Sequence, residues 1–141
     1  MPKTVLTIDD DTAITELLAM LLRTHGYEVK TVNSGEEGVD AIKKYNPHVV
    51  ILDLMMPGLD GWQVCKIVRE FSNVPIVILS ALDDPAMIAS ALDAGADDYL
   101  VKPVSSSVLV AHLNRLIRRT GTLEATNGTT IRASRSQPQT P

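Results

Sequence analysis

The chain has 141 residues, 45% hydrophobic and 21% charged, a composition typical of one globular domain that can bury a sizeable core. Its formal net charge of −4 gives no basic surplus for binding nucleic acid, and no apolar stretch approaches the roughly 18 residues that span a membrane. The single cysteine, Cys65, excludes an internal disulfide, and no signal peptide is visible before the first apolar run, so we expect a cytoplasmic protein.

The hydrophobic pattern predicts five strands and five helices that alternate along the chain. Short apolar runs bounded by turn residues predict strands, and apolar residues at helical spacing predict helices. The predicted elements are strands over 4–8, 28–32, 48–53, 75–79 and 98–101, and helices over 12–24, 35–45, 62–71, 85–94 and 105–119. This alternation predicts a doubly wound α/β fold with a five-stranded parallel sheet and right-handed crossovers.

Local signals support the predicted helix boundaries. Ser34 is expected to cap the second helix, with Glu37 as its reciprocal capping-box partner. Asp84 followed by Pro85 is a similar start signal for the fourth helix. In the first helix, four leucines are predicted to share the side that faces the core: Leu17, Leu18, Leu21 and Leu22.

The composition changes after Arg119. Residues 121–141 contain few apolar side chains among Thr, Ser, Gly, Gln and Pro, so they cannot bury enough surface to offset the entropy of ordering. We predict a folded domain over 1–120, followed over 121–141 by a disordered tail or the start of an interdomain linker.

Polar side chains stand at the ends of four of the predicted strands. Asp9 and Asp10 follow the first strand, Asp53 the third, Ser80 the fourth and Lys102 the fifth. In an open parallel sheet, ligands bind outside the carboxyl ends of the strands. The sequence therefore predicts one crevice that contains three carboxylates, a hydroxyl and an ammonium group.

These groups suit a divalent cation and a phosphoryl group. Three neighbouring carboxylates repel one another unless a proton or a cation intervenes, and Mg²⁺ prefers carboxylate oxygens and water. An Asp53 oxygen that the cation leaves free can act as a nucleophile towards phosphorus. Phosphoryl transfer mainly requires positioning and neutralisation of the phosphoryl oxygens, which Lys102 and Ser80 could provide.

Four segments carry these side chains in a fixed order. They are DDD at 9–11, LDLMMPGLDG at 52–61, ILSA at 78–81 and GADDYLVKP at 95–103. In this order and spacing, residues 3–119 resemble the receiver domain of two-component response regulators. Within that family, the chain is most similar to receivers that are attached to winged-helix DNA-binding domains.

The resemblance implies a flavodoxin-like sheet with strand order 2-1-3-4-5 and a phosphorelay function. It implies that Asp53 accepts a phosphoryl group from a sensor histidine kinase, and that Ser80 and Lys102 contact the phosphoryl oxygens. It implies Mg²⁺ bound by Asp10, Asp53 and the Met55 backbone carbonyl, with Asp9 assisting through water. It also implies a cis peptide bond before Pro103. The protein would be a signalling switch, whose only catalysis is its own phosphorylation and dephosphorylation.

The resemblance further implies a conformational switch. Phosphorylation would draw the Ser80 hydroxyl inward, and Tyr99 would rotate into the space that it leaves. The change would be read on the helix over 85–94, the last strand and the helix over 105–119, a surface through which related receivers commonly dimerise.

Several positions depart from the common family pattern. Met55 and Leu82 offer no polar side chain to orient an attacking water, so we expect slow loss of the phosphoryl group. On the dimer surface, apolar residues occupy an expected basic and an expected acidic position, and a histidine replaces an arginine: Ile88, Val108 and His112. We expect a homodimer with a drier contact, although these changes also fit a protein that does not dimerise.

Three other classes of protein can be compared with the receiver interpretation from the sequence. A phosphatase of the haloacid dehalogenase type needs a second aspartate two residues after the nucleophile, where this chain has Met55. A scaffold independent of phosphorylation would not need the complete set of acidic, hydroxyl and lysine side chains. A dinucleotide-binding protein would carry a glycine-rich turn after its first strand. DNA binding is expected only if an output domain follows residue 141.

Overall fold

The computed structural model describes residues 2–129, with side chains described for residues 2–120. Strands and helices alternate strictly within this range, as the sequence predicts. In chain order they are β1 (Thr4–Ile8), α1 (Thr12–Thr24), β2 (Glu28–Val32), α2 (Gly35–Tyr45), β3 (Val49–Leu52), α3 (Gly61–Val68), β4 (Ile76–Ser80), α4 (Pro85–Ala94), β5 (Asp98–Val101) and α5 (Ser106–Thr129).

The five strands form one parallel sheet in the order β2-β1-β3-β4-β5, which confirms the predicted order. The central strand, β3, is buried along its whole length. Its last residue, Leu52, is in register with Ile8 of β1 and with Ile78 of β4. The ends of these three strands therefore lie side by side at one edge of the sheet.

Helices cover both faces of the sheet, because alternate strand residues point to opposite sides. On one face, Leu6, Ile8 and Leu52 pack into a core with buried residues of α2, α3 and α4. On the other face, Val5 and Ile51 pack with buried residues of α1 and α5. Both cores hold the strand ends in fixed positions.

Several predicted boundaries differ from the observed ones by a few residues. The third strand is shorter than the predicted 48–53, and the fourth is shifted by one residue from 75–79. The third helix starts at Gly61 rather than at 62, because Asp60 and Gln63 form a capping box there, and it ends at Val68 rather than at 71. The second helix is capped by Ser34 as predicted, but Glu37 accepts a hydrogen bond from the backbone N–H of Asn33 instead of that of Ser34.

The last helix is much longer than predicted. Its backbone continues to Thr129, although the sequence predicts an end at 119. Extending an existing helix avoids the cost of nucleation, so a segment of weak helix formers can continue it. The division into a domain over 1–120 and a tail or linker over 121–141 stays a prediction, and residues 130–141 lie outside the described range.

The predicted core-facing side of α1 is partly wrong. Leu22 is buried and Leu18 and Leu21 are partly buried, but Leu17 is 60% exposed. The buried positions are Thr15, Ala19 and Leu22. A shift of two residues along a helix is a rotation of about 200°, so Leu17 lies opposite Thr15 and Ala19. Within residues 2–129, no helix has the length and apolar character needed to cross a membrane.

Candidate functional site

The acidic side chains predicted to converge at the carboxyl edge of the sheet are brought together. Asp9 and Asp10 follow β1 directly, and Asp53 follows β3. One carboxylate oxygen from each lies within 4.8 Å of the others. We call these three residues the acidic cluster. Neighbouring β4 and β5 add Ser80, which is 1% exposed, and Lys102, which follows β5 directly.

Asp9 is the most firmly held member of the acidic cluster. Its Oδ1 accepts a hydrogen bond from the backbone N–H of Asp11 at 3.0 Å. Its Oδ2 lies 3.3 Å from Nζ of Lys102, with which it forms an ion pair. The pair joins the ends of β1 and β5 across the edge of the sheet, and it places the ammonium group of Lys102 beside the acidic cluster.

Asp53 is the residue whose protonation this environment changes most clearly. Desolvation by burial, with the negative charges of Asp9 and Asp10 as further causes, raises the pKa of Asp53 from its ordinary value of 3.8 to about 6. The charge of Lys102 and the backbone N–H of Leu54 act in the opposite direction and lower this pKa. The balance shows that an ionised Asp53 lacks sufficient positive charge around it.

A divalent cation would supply the positive charge that the surroundings of Asp53 lack. Mg²⁺ binds oxygen at about 2.0–2.1 Å, so two of its ligand oxygens lie about 3 Å apart when adjacent and about 4 Å apart when opposite. The carboxylate oxygens of the acidic cluster lie within 4.8 Å of one another, which is close to these separations. Asp10 is exposed and Asp53 is half-buried, so water can complete the coordination.

Ser80 and Tyr99 are linked through the peptide groups of Leu82. The Oγ of Ser80 accepts a hydrogen bond from the Leu82 N–H at 3.2 Å, and the hydroxyl of Tyr99 donates to the Leu82 carbonyl at 2.7 Å. The ring of Tyr99 packs against the core on the side of α2, α3 and α4. Ser80 at the site and Tyr99 on the outer strand β5 are thus connected by hydrogen bonds to the same residue.

The remaining predicted site residues occupy the expected loops. The peptide bond between Lys102 and Pro103 is cis. Met55 follows Asp53 by two residues and is 60% exposed, and its thioether side chain offers no strong hydrogen-bonding group to the site. Leu82 is partly buried against the core.

The surface formed by α4, β5 and α5, which we call the readout face, combines apolar and charged side chains. Val108 is 44% exposed, and Ile88 is partly exposed on α4. His112 contacts the Asp98 carboxylate, and Arg115 Nη2 lies 2.8 Å from the same oxygen, Oδ2. His112 is therefore engaged within its own chain.

Sequence reasoning misses two residues that support the site from the start of α2. Asn33 donates from its side-chain amide to the backbone carbonyl of Asp9 at 2.8 Å. Glu36 accepts from the backbone N–H of Leu59, in the loop that follows Asp53, at 3.3 Å. Asn33 directly follows β2, so the rule that finds Asp9 and Asp53, a polar residue just after a strand, could have found it.

The fold and the site together define the receiver class of signalling domains: a 2-1-3-4-5 parallel sheet with an acidic cluster, a hydroxyl and a lysine at its carboxyl edge. Comparison with known families agrees. Residues 5–114 match the response regulator receiver domain, and the chain belongs to that family. It is a signalling domain, and neither a haloacid dehalogenase phosphatase nor a protein-binding scaffold independent of phosphorylation is favoured.

Curated relatives support this membership. The chain is 40% identical over 127 residues to the transcriptional regulatory protein AfsQ1 of Streptomyces coelicolor, covering 90% of this chain and 56% of that protein. It is 38% identical over 119 residues to the DNA-binding response regulator MtrA of Mycobacterium tuberculosis, covering 84% of this chain and 52% of that protein. These names confirm the resemblance to receivers of DNA-binding regulators, and the chain spans about half the length of these relatives.

Solved structures agree with the fold. A putative response regulator from Chloroflexus aurantiacus is 38% identical with a TM-score of 0.79, and the match covers 84% of this chain and 99% of that one. The receiver domain of RstA from Klebsiella pneumoniae, solved in a BeF₃-activated form, is 32% identical with a TM-score of 0.79, and the match covers 82% and 98%.

Proposed function

We propose that this domain takes a phosphoryl group from a sensor histidine kinase onto Asp53 and changes its readout face in response. The observation that carries the proposal is the convergence of the acidic cluster around Asp53, next to the ammonium group of Lys102. Asp53 is half-buried, so a carboxylate oxygen is accessible to a donor at the edge of the sheet.

The transfer is a displacement at phosphorus. An Asp53 carboxylate oxygen forms the new bond to phosphorus, while the bond between phosphorus and the donor histidine nitrogen breaks. The bonding electrons stay on that nitrogen, which then takes up a proton. The product at Asp53 is an acyl phosphate, and the ionised form of Asp53 is the reactive one.

The chain's own residues hold the reacting groups. Asp10, Asp53 and the backbone carbonyl of Met55 would hold a Mg²⁺ ion, with Asp9 acting through a bound water. When bound, the ion supplies positive charge that neutralises phosphoryl oxygens. Lys102 exchanges its contact with Asp9 for a phosphoryl oxygen, and the Ser80 hydroxyl donates to another oxygen.

The proposed switch uses the hydrogen bonds around Leu82. A Ser80 hydroxyl that turns to a phosphoryl oxygen changes the position of the 80–82 segment, to which the Tyr99 hydroxyl is bonded. Tyr99 would then rotate into the space that the Ser80 hydroxyl leaves, and β5 would move with α4. This is a two-state element that a local charge biases.

The proposed phosphoryl donor is a sensor histidine kinase in the cytoplasm. The donor must bring its histidine to Asp53, and therefore binds over the carboxyl edge of the sheet. The outer side of α1, which starts at this edge, exposes Leu17 and Met20, an apolar surface that a partner could cover.

We also propose that the phosphorylated domain forms a homodimer through the readout face. Met87, Leu92, Val101 and Val108 are all at least 38% exposed and belong to α4, β5 and α5. Apolar contact between Ile88 and Val108 of two copies would replace the charged pair expected from related receivers. Light scattering with and without beryllofluoride tests this, and a monomer under both conditions contradicts it.

DNA binding belongs to a segment after residue 141, if one is present. The relatives AfsQ1 and MtrA are about twice as long as their matched parts and are named as transcriptional or DNA-binding proteins. The receiver would then control such a segment through the readout face.

The decisive experiment measures the intact mass of the protein after incubation with acetyl phosphate and Mg²⁺. We expect an increase by one phosphoryl group that is absent without the metal and absent in Asp53→Asn. Asp40→Asn, which makes the same change on an exposed position of α2, should be modified like the wild type. An unchanged mass, or modification that persists in Asp53→Asn, contradicts the proposal, and turnover of a chromogenic phosphate ester would instead indicate a phosphatase.

A further inference from the structure

We infer that Asn33 is a positioning residue for metal binding: its amide holds the backbone carbonyl of Asp9 and thereby directs the Asp10 carboxylate to the cation. The inference rests on the proposed function, because it assumes that the acidic cluster holds a divalent cation. It assigns a role to the loop between β2 and α2, which carries none of the proposed ligands.

The amide of Asn33 joins two segments on either side of Asp10. Its Nδ2 donates at 2.8 Å to the carbonyl of Asp9 and at 3.2 Å to Oγ1 of Thr15. The Thr15 hydroxyl in turn donates to the Thr12 carbonyl at 3.1 Å. A carbonyl oxygen can only accept, so the amide nitrogen of Asn33 must face Asp9. These bonds tie the end of β1 to the first turn of α1.

Holding the Asp9 carbonyl affects Asp10 in particular. The peptide group between them is planar, so the direction of the Asp9 carbonyl also sets the direction of the Asp10 N–H and the position of its Cα. The Asp9 carboxylate is already held by Asp11 and Lys102. Among the residues with described side chains, none donates a hydrogen bond to the exposed Asp10 carboxylate, so its backbone is the part of Asp10 that the fold holds in place at the site.

Asn33 is itself held by its neighbours in the fold. Its backbone N–H donates to Oε1 of Glu37 at 3.2 Å, and the N–H of Asp9 donates to the carbonyl of Val32 at 3.3 Å. The β1–β2 pairing thus continues up to Val32, the residue directly before Asn33. Thr15, the second acceptor, is 2% exposed, so one end of the network lies in the protein interior.

Two substitutions separate positioning from simple electrostatics. Asn33→Ala removes the amide, and we expect about 10-fold weaker metal binding, the lower end of what loss of a ligand-orienting partner costs. Asn33→Asp is nearly isosteric, but it replaces the donor with a carboxylate that repels the Asp9 carbonyl. Electrostatics alone predicts tighter cation binding for Asn33→Asp because it adds negative charge, whereas positioning predicts weaker binding.

The experiment is a titration of the full chain with Mn²⁺, followed by the electron paramagnetic resonance signal of the free ion. Mn²⁺ suits the same carboxylate, carbonyl and water ligands as Mg²⁺. The matched control is Ser34→Ala, which removes the cap of α2, a bond from the Glu37 N–H at 3.1 Å, but leaves the amide of Asn33 in place. Urea unfolding of each variant without metal reports any general loss of stability.

The inference is supported if both Asn33 variants bind Mn²⁺ more weakly while Ser34→Ala, despite its lost cap, keeps the wild-type affinity. It is overturned if Asn33→Ala binds like the wild type, or if Asn33→Asp binds more tightly. If the wild type binds Mn²⁺ and Asn33→Ala binds it with the same affinity, only this inference is refuted. A wild-type protein that binds no Mn²⁺ refutes the proposed metal site together with it.

Discussion

Replacing Asp53 by asparagine is expected to stabilise the metal-free protein. Asp53 is the acceptor in the proposed reaction, yet burial and the charges of Asp9 and Asp10 raise its pKa to about 6. At neutral pH, folding therefore places an ionised carboxylate where it is less stable than in the unfolded chain. Asparagine has nearly the same shape without the charge, so the variant removes this cost.

The magnitude follows from the shift in pKa. A shift from 3.8 to about 6 corresponds to about 3 kcal/mol at 1.36 kcal/mol per unit. Asp53 is half-buried, and partial contact with solvent screens the repulsion, so we expect a gain of about 2 kcal/mol. Between pH 3.8 and about 6, the folded protein keeps a proton that the unfolded chain has lost, so this contribution lowers stability as pH rises. The advantage of Asp53→Asn is therefore complete above this window and absent below it.

The assay is urea unfolding of the wild type and Asp53→Asn at neutral pH and at pH 4, in the presence of a chelator. Asp40→Asn provides the control, because the same change on the exposed side of α2 should have little effect. Added Mg²⁺ should stabilise the wild type more than Asp53→Asn, because the variant lacks a carboxylate ligand. Equal or lower stability of Asp53→Asn at neutral pH would refute the account of the acidic cluster.

Three further predictions concern other parts of the domain. Thr7 in β1 is fully buried, and its hydroxyl has no hydrogen-bond partner among the described residues. Thr7→Val should therefore raise the free energy of unfolding by about 1 kcal/mol, and a marked loss of stability in urea unfolding would contradict this. Asp60→Ala should cost about 1 kcal/mol by removing the capping box of α3, and Asp60→Asn should restore most of it in the same measurement. The phosphorylated wild type should lose its phosphoryl group slowly, and Met55→Asn or Leu82→Glu should speed the loss severalfold by orienting water; equal decay rates measured by intact mass would argue against this role.

Much of the fold follows from local patterns in the sequence. The apolar run Val49–Leu52 predicts a central strand because every side chain in it is apolar, and the strand is indeed buried throughout. Asp84 and Ser34 mark helix starts because their side chains accept the first free backbone N–H groups, as the structure confirms. The end of α5 is not predictable in this way, because continuing a helix requires no signal of its own.

The site is predictable in its location but less in its contacts. The carboxyl ends of parallel strands meet at one edge, so the sequence places Asp9, Asp53 and Lys102 in one crevice. It does not reveal that Lys102 pairs with Asp9. That contact joins residues 93 positions apart and depends on how the loops after β1 and β5 are folded.

By itself, the sequence determines the order and type of the elements and the residues that follow each strand, since these depend on periodicity and on neighbours in the chain. Only the tertiary structure decides which partner each side chain meets. Helix packing leaves Leu17 in solvent, loop geometry brings Asn33 to the Asp9 carbonyl, and the close approach of α5 to β5 engages His112 with Asp98. The physical reason is that these contacts are long-range, and their geometry is set by the packing of both cores against the sheet rather than by any local pattern.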